Sequence, residues 1–570
     1  MVDRNQQKPQ QAHQQQPTTL QSYTPSILWQ VIILAALTWA FVEGHLPHFF
    51  PEDWHPAVLA VAGTIATFCG VNIAAKLVTL YHRVSVMVQA ATPQTVHGSA
   101  RFADMSDIKK ARLHSNNGLW IGLFGDQVLR FENETHTLVI SPAGGGKTVY
   151  LVVPQLALVT LPMLVTDMKG ELPAITARWR AQRMGHRVRV LNPPSVWRQP
   201  SDTYNPCDIV LEDLVTDPRD AILDAKSIAL QLIPEPTRAG ADNNQFFRQG
   251  ARDIVSFTIL ALALRYPGSC HLPEAQKIVT NPIAFRNLCE EIKDAHGGVE
   301  GDVANMAQQH IAASDATPRE FQSFMNNAVQ ALGPFAPSGR IAEFCKTSSF
   351  RFRELKTGDA DGKPVTVYNC CDMTRLAQFA PWTGLLNWAA MTELQRCQVR
   401  QQVLILMDEA SNFTIADLPK YLTALRGYGI SVFLVFQEHS EIERAYGKEA
   451  AATFWSQSDL IIGFGIKSQE TAERFSKLAG VRTIEARNFN LGGQAGDTIN
   501  QSQSYTKREL ITPDEVRARE EGDMLVFIKN MPLIKAERCG YHEIEPLRSN
   551  LDPNPLHGNQ PYLGTTRVSL

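Results

Sequence analysis

No Cys-x-x-Cys pair occurs in the 570 residues, and no cysteines and histidines gather at metal-ligand spacing, although the chain holds nine cysteines. That excludes a zinc module and a disulfide framework, and leaves reduced, buried thiols. Charge of one sign is missing as well: 54 Lys and Arg stand against 57 Asp and Glu, so the net −3 names no acidic or basic partner. No base-reading nucleic-acid signature is evident either. What the chain has in quantity is apolar residues, 44% of the total, enough at this length for a large core and more than one domain.

The apolar residues are unevenly spread. Residues 1–24 are rich in Gln, Pro and Thr, and are expected to form a disordered cytoplasmic tail. Ser22 to Val42 and Trp54 to Ala75 then carry no Asp, Glu, Lys or Arg, and each is long enough to cross a bilayer core of roughly 30 Å. The loop from Glu43 to Asp53 holds Glu43, Glu52 and Asp53 but no Lys or Arg, while Arg4, Lys8, Lys76 and Arg83 lie outside it. This predicts a transmembrane hairpin over residues 25–83 with a short periplasmic loop and both ends in the cytoplasm. Two buried core helices are the competing reading, against which Trp29, Trp39 and Trp54 fit membrane interfaces. A cleaved signal peptide is disfavoured by the long polar tail ahead of the first run and by the second run behind it.

Ser141 to Thr148 reads SPAGGGKT, after the apolar Thr137 to Ile140 and before the mostly apolar Val149 to Leu158. That is the strand, glycine loop and helix of a phosphate-binding loop. Pro142, Ala143, Gly144, Gly145, Gly146, Lys147 and Thr148 would cradle a nucleoside triphosphate. Lys147 would lie near the β and γ phosphates, and the Thr148 hydroxyl on Mg²⁺. Ser141 stands where the pattern has glycine. Taken alone, the stretch could be an ordinary strand-to-helix turn, so a partner motif matters. Val403 to Met407 supplies it: five apolar residues, as in a buried parallel strand, ending in Asp408-Glu409. Asp408 is placed to hold the Mg²⁺ shell, and Glu409 to orient or deprotonate an attacking water.

Strands at Leu161 to Thr166, Arg187 to Leu191, Ile430 to Phe436 and Leu460 to Phe464 alternate with helical segments, which predicts an α/β fold with a mostly parallel, doubly wound sheet. Between His271 and Pro337 strand patterning stops, and 281–295, 302–312 and 318–332 read as helices. The expected organisation is a nucleotide-binding domain in two parts, residues 84–268 and 341–545, around an all-α domain at 269–340. Residues 546–570 are expected to be a loose tail.

His97-Gly98-Ser99-Ala100-Arg101-Phe102-Ala103, the loop at Ser141 to Thr148, and Asp167-Met168-Lys169-Gly170-Glu171 follow the hairpin in order. Asp408-Glu409-Ala410, Ala424 to Gly429 and Phe436-Gln437 come after them. Together they resemble the TraG/TraD-type coupling proteins of type IV secretion. The resemblance implies a RecA-like P-loop ATPase using ATP and Mg²⁺, hexameric when active. It also implies a multi-pass anchor in the bacterial inner membrane, with most of the chain in the cytoplasm, and an all-helical domain at the cytoplasmic mouth. Such proteins recruit a relaxase complex with single-stranded DNA, or protein effectors, and feed them to the secretion channel. In a ring, Arg426 can reach the γ-phosphate held by a neighbouring subunit, or it is a surface arginine. Gln437, directly after its strand, can sense that phosphate or position water, or cap the strand. Asp167, Lys169 and Glu171 are supporting candidates at a strand end. Arg178, Arg180, Arg183, Arg187, Arg189 and Arg198 around Trp179 and Trp197 suit phosphate or lipid headgroups, or a solvated helix face. Two functional readings remain: a motor for conjugative DNA, and a receptor and gatekeeper for secreted proteins with little motor activity. A chromosome-segregation translocase of related fold would need a winged-helix module, for which the polar stretch after Glu545 leaves no room.

Overall fold

The computed structural model describes residues 29, 31–33, 35–36, 39, 51–91, 98–115, 117–132, 135–236, 244–490, 500–558 and 565–570. They fall into two compact units, Met1–Val96 and His97–Leu570. In the first, a short turn at Glu52–Trp54 opens the helix His55–Ala91. Its stretch Pro56–His82 is long and apolar enough to cross a membrane. The hydroxyls of Thr64, Thr67 and Thr79 donate to carbonyls four residues back, at 2.7, 2.8 and 2.7 Å, which removes free polar groups from an apolar helix surface. Where two spans are expected, one such helix is found among the described residues; the first run lies largely outside them, as does the expected tail at 1–24.

The second unit is built on thirteen strands: β1 (Leu119–Phe124), β2 (Gln127–Phe131), β3 (His136–Ile140), β4 (Met163–Asp167), β5 (Arg187–Leu191), β6 (Val365–Cys370), β7 (Val403–Met407), β8 (Ile430–Phe436), β9 (Ser458–Gly463), β10 (Val481–Asn490), β11 (Asn500–Glu509), β12 (Asp523–Ile528) and β13 (Ile534–Glu537). Eleven form one sheet in the order β2-β1-β13-β12-β9-β3-β8-β7-β4-β6-β5. The seven from β9 to β5 are parallel. Side-chain alternation explains their apolar sequences, since both faces are covered. Leu138, Ile140, Leu164, Ile405 and Met407 point into one core, and Val139, Val165, Leu404 and Leu406 into the other.

Six of these strands escape the sequence reading: β1, β2, β12 and β13 in the sheet, and β10 and β11 beside it. The pairs β9–β12, β12–β13, β13–β1 and β1–β2 are antiparallel and extend the sheet beyond the doubly wound part. β10 and β11 form a separate long hairpin.

Between β5 and β6 every regular element among the described residues is helical, the longer ones being Asp208–Thr216, Pro218–Leu232, Gln245–Arg265, Leu272–Thr280, Pro282–Ile292, Gly298–Ala316 and Pro318–Leu332. The run thus begins some sixty residues ahead of the expected boundary at 269. Its start signals are local: Asp217 and Asn281 accept from backbone N–H groups of the first turn, with Pro218 and Pro282 just inside.

The described parts of the tail after Glu545, residues 546–558 and 565–570, are tied to the fold. Two further short strands, β14 (Ile544–Glu545) and β15 (Val568–Ser569), pair in parallel. The Asp552 N–H donates to the Ile175 carbonyl at 3.2 Å, and its carboxylate takes Arg178 at 2.9 Å. Asn554 donates to Glu171 Oε2 at 2.6 Å, both side chains buried, so the C-terminal segment is tied to the helix Glu171–Gln182.

Candidate functional site

The phosphate loop leaves the end of β3, where the Ser141 N–H donates to the Phe436 carbonyl at 3.0 Å. Gly145 N–H donates to the Pro142 carbonyl at 3.0 Å, closing the turn. Gly144 and Gly146 are left-handed, with φ of +76° and +83°, which a side chain would strain. Ser141 is not left-handed, so serine is tolerated at the first position. Its buried hydroxyl lies against Gly145, where a Cβ would come within 2.3 Å of it. A glycine is therefore required at 145 by its neighbour and not by its own backbone.

Lys147 leads into a π-helical turn, Thr148–Val152, and then the α-helix Val153–Leu158. Pro154 has no N–H to offer the Tyr150 carbonyl one turn back. The Trp120 indole donates to it instead, at 3.1 Å. The Gln155 amide binds both backbone groups of Trp120, at 2.9 and 2.6 Å. β1 thus braces the loop helix from outside the parallel sheet, a role no sequence pattern signals because the partners are about 30 residues apart.

The acidic half of the site comes from the end of β7. Asp408 and Glu409 are buried, and Glu409 is held at φ +53°, a strained position for a non-glycine residue. Its Oε1 faces Lys169 Nζ at 3.0 Å and Lys147 Nζ at 3.8 Å, and Asn412 donates to Oε2 at 3.1 Å. Asp408 Oδ1 is buried without a hydrogen-bond partner among the described residues. Burial, then the neighbouring Glu409 charge, raise its pKa to about 6. Asp167 is raised to about 7, chiefly by burial, although it accepts from the Lys169 and Leu172 N–H groups at 2.9 and 2.7 Å.

Lys147, Lys169, Asp408 and Glu409 therefore meet at the C-terminal ends of parallel strands, where ligands bind in open α/β sheets. The residues fit a Mg²⁺ nucleotide: a glycine cradle, a lysine beside it, and a buried carboxylate oxygen with an unused lone pair. Lys169 is drawn in more tightly than the sequence suggests, as a direct partner of Glu409, whereas Asp167 braces the turn into the helix Glu171–Gln182. Among the described residues His439, Glu443 and Glu470 also cluster. There the Trp455 indole donates to His439 Nδ1 at 3.1 Å, so the neutral ring carries its proton on Nε2, facing Glu443 at 3.2 Å. That is a hydrogen bond and leaves no lone pair for a metal.

β8 lies between β3 and β7, so Gln437 emerges between the phosphate loop and Asp408-Glu409. Its backbone N–H donates to Glu441 at 2.9 Å. Arg426 lies at the other end of the same strand, about 20 Å away at roughly 3.3 Å per residue. It pairs with Asp459 at 2.8 Å and donates to Thr135 at 2.6 Å, so it does not join its own chain's phosphate loop.

The arginine run does not form an open basic surface. Arg180 is fully buried, donating to the Leu156, Val159 and Leu161 carbonyls at 2.7, 3.0 and 2.7 Å. Arg178 pairs with Asp552, Arg187 with Asp359 and Asp361, and Arg189 with Asp202. Arg180 is lost to the interior and three others are paired with acids, while Arg183 and Arg198 stay exposed.

Known proteins agree with this architecture. The chain is 25% identical to the conjugal transfer protein TraG of Escherichia coli, over 91% of this chain and 85% of that one. It is 24% identical to the protein VirD4 of Rhizobium rhizogenes, over 87% and 73%. Among solved structures, plasmid coupling protein TrwB in complex with ADP and Mg²⁺ matches 78% of this chain and 94% of its own, at 15% identity and a TM-score of 0.55. At that identity the match speaks for the fold, a RecA-like α/β architecture with a large, mostly parallel sheet. The family described as type IV secretory system conjugative DNA transfer matches residues 101–562, and the chain belongs to that family.

Proposed function

We propose that this chain is an ATP-hydrolysing coupling protein that recruits a relaxase–DNA complex and drives it into a type IV secretion channel. The observation that carries the reading is the meeting of Lys147 with Asp408 and Glu409 from strand ends on either side of β8, in a chain of the conjugative DNA transfer family. Mg²⁺ bound with ATP would supply charge neutralisation at the phosphates; Thr148 and Asp408 would hold it. Lys147 would leave Glu409 for the phosphates, and Glu409 would then face the attacking water with Gln437 beside it. Lys169 holds the Glu409 carboxylate in place. Arg426 has no role in its own chain's pocket, so its contribution to catalysis would come across a subunit interface in a hexameric ring.

The helix His55–Ala91 serves as a membrane anchor, paired with the preceding apolar run as a hairpin. Most of the chain then lies in the cytoplasm of a bacterial cell. Single-stranded DNA would be held by its backbone, without base readout.

The test uses the full chain in detergent or lipid nanodiscs. Hydrolysis should be stimulated by single-stranded DNA, with binding that weakens as salt rises. Absence of both would favour the receptor and gatekeeper reading. Lys147→Ala should abolish hydrolysis while the melting temperature without nucleotide stays unchanged; sustained turnover in that variant would overturn the site.

A further inference from the structure

Arg538, the residue after β13, reaches the back of the phosphate loop. Its Nη1 donates to the Gly145 carbonyl at 3.0 Å, and its guanidinium lies 5.0 Å from the Tyr150 ring centre and 5.6 Å from that of Phe464. We propose that Arg538 is a positioning residue for nucleotide binding, clamping the Gly145–Gly146 peptide so that the loop offers its N–H groups to phosphate. This rests on the reading of the loop as a nucleotide site.

In a trans peptide the carbonyl of one residue and the N–H of the next point to opposite sides. Pinning the Gly145 carbonyl outward therefore aims the Gly146 N–H into the cradle. Gly146 completes the device. Its φ is +83°, and a Cβ there would come within 2.4 Å of the Tyr150 ring, so only glycine lets that ring pack under the loop. Loop, Tyr150 ring, guanidinium and Phe464 ring form one stack. Phe464 follows β9, the strand beside β3, and its N–H donates to the Ile140 carbonyl at 3.3 Å, so both ends of the stack are tied to the root of the loop.

Arg538 is itself held rigidly. Its N–H donates to the Gly522 carbonyl at 2.7 Å, and its carbonyl accepts from Arg567 at 3.0 Å. β13 is paired on both sides, by β12 and by β1. The planar cation can stack and donate at once, which a lysine cannot. Its charge behind the loop also favours an anion in front.

Full-length parent, Arg538→Gln, Arg538→Lys and Lys147→Ala would be compared by affinity for a fluorescent Mg²⁺–ADP analogue and by steady-state ATP hydrolysis. For Arg538→Gln, Kd and KM should rise about tenfold, the size of a lost charge-assisted hydrogen bond. A loop that binds ground and transition states alike should leave kcat within about twofold. Arg538→Lys should fall between, about threefold weaker than the parent. A purely structural arginine would lower the melting temperature without moving KM. Parental affinity in an Arg538→Gln variant that melts like the parent overturns the proposal, as does a fall in kcat at unchanged Kd. Should Arg538→Gln not fold, Arg538→Lys carries the test, and parental affinity in it overturns the proposal. Undiminished analogue binding in Lys147→Ala is a different failure, that of the nucleotide-site reading itself.

Discussion

Glu409 sits in a left-handed backbone, which costs strain, and its carboxylate is buried, a cost that the two flanking lysines offset. Strain and buried charge at one residue mark it as held for a task. Replacing it by Gln keeps the shape but removes the base, so Glu409→Gln should bind Mg²⁺–ATP at least as tightly as the parent and hydrolyse it roughly a hundredfold or more slowly. Single-turnover measurements check this; parental turnover would remove Glu409 from the chemistry. Asp408 and Glu409 were legible from sequence because an apolar strand ending in two acids has few other uses. Arg180 was not. An arginine that satisfies three carbonyls inside the protein looks, in sequence, like one that meets solvent.

At the scale of elements, the strand of the loop and the strand of the acids are recognisable by their apolar runs, because parallel strands are buried on both faces. The antiparallel extension is not, as short strands such as β13 carry polar residues and depend on neighbours distant in sequence. Its contribution is nevertheless specific: Trp120 of β1 takes the carbonyl that Pro154 leaves without a donor. Trp120→Phe should cost about 2–4 kcal/mol, from the freed carbonyl and the lost volume. Pro154→Ala restores a backbone N–H, so in that background the penalty of Trp120→Phe should shrink. A double-mutant cycle by chemical denaturation reads the difference, and strict additivity would refute the compensation. The C-terminal segment shows the same limit. Its polar composition suggested a loose tail, yet Asn554 and Asp552 find buried or paired sites on the helix Glu171–Gln182.

For the molecule as a whole, two buried histidines and a partly buried one weaken the fold as acid is added. Burial lowers the pKa of His136, His186 and His310 to about 4, from an ordinary value of 6.5. Because the folded values are depressed, the unfolded chain binds these protons first. Their stabilising effect is complete above pH 6.5 and is lost as pH falls toward 4, by roughly 3 kcal/mol each at that point. Asp167 and Asp408, raised to about 7 and about 6, act in the opposite sense as pH falls, so the histidine contribution is read by difference: His186→Asn should lose less stability than the parent between pH 6.5 and pH 4, and an equal loss would contradict it. Assembly is tested at Arg426. Arg426→Ala should retain nucleotide binding and lose turnover, and mixing it with Glu409→Gln subunits should restore part of the activity if the arginine acts between copies. No recovery would confine it to its pair with Asp459. The sequence by itself determined the α/β class, the glycine turn after one apolar strand, the two acids after another and the apolar runs, since each is a local pattern. Only the tertiary structure decided that Arg426 stands a strand's length from its own loop, that Arg180 of the basic run is buried and three of its arginines are paired with acids, and that Lys169, Trp120 and Arg538 converge on the site. Those outcomes depend on which distant segments the sheet order brings together, and no spacing within the chain encodes that.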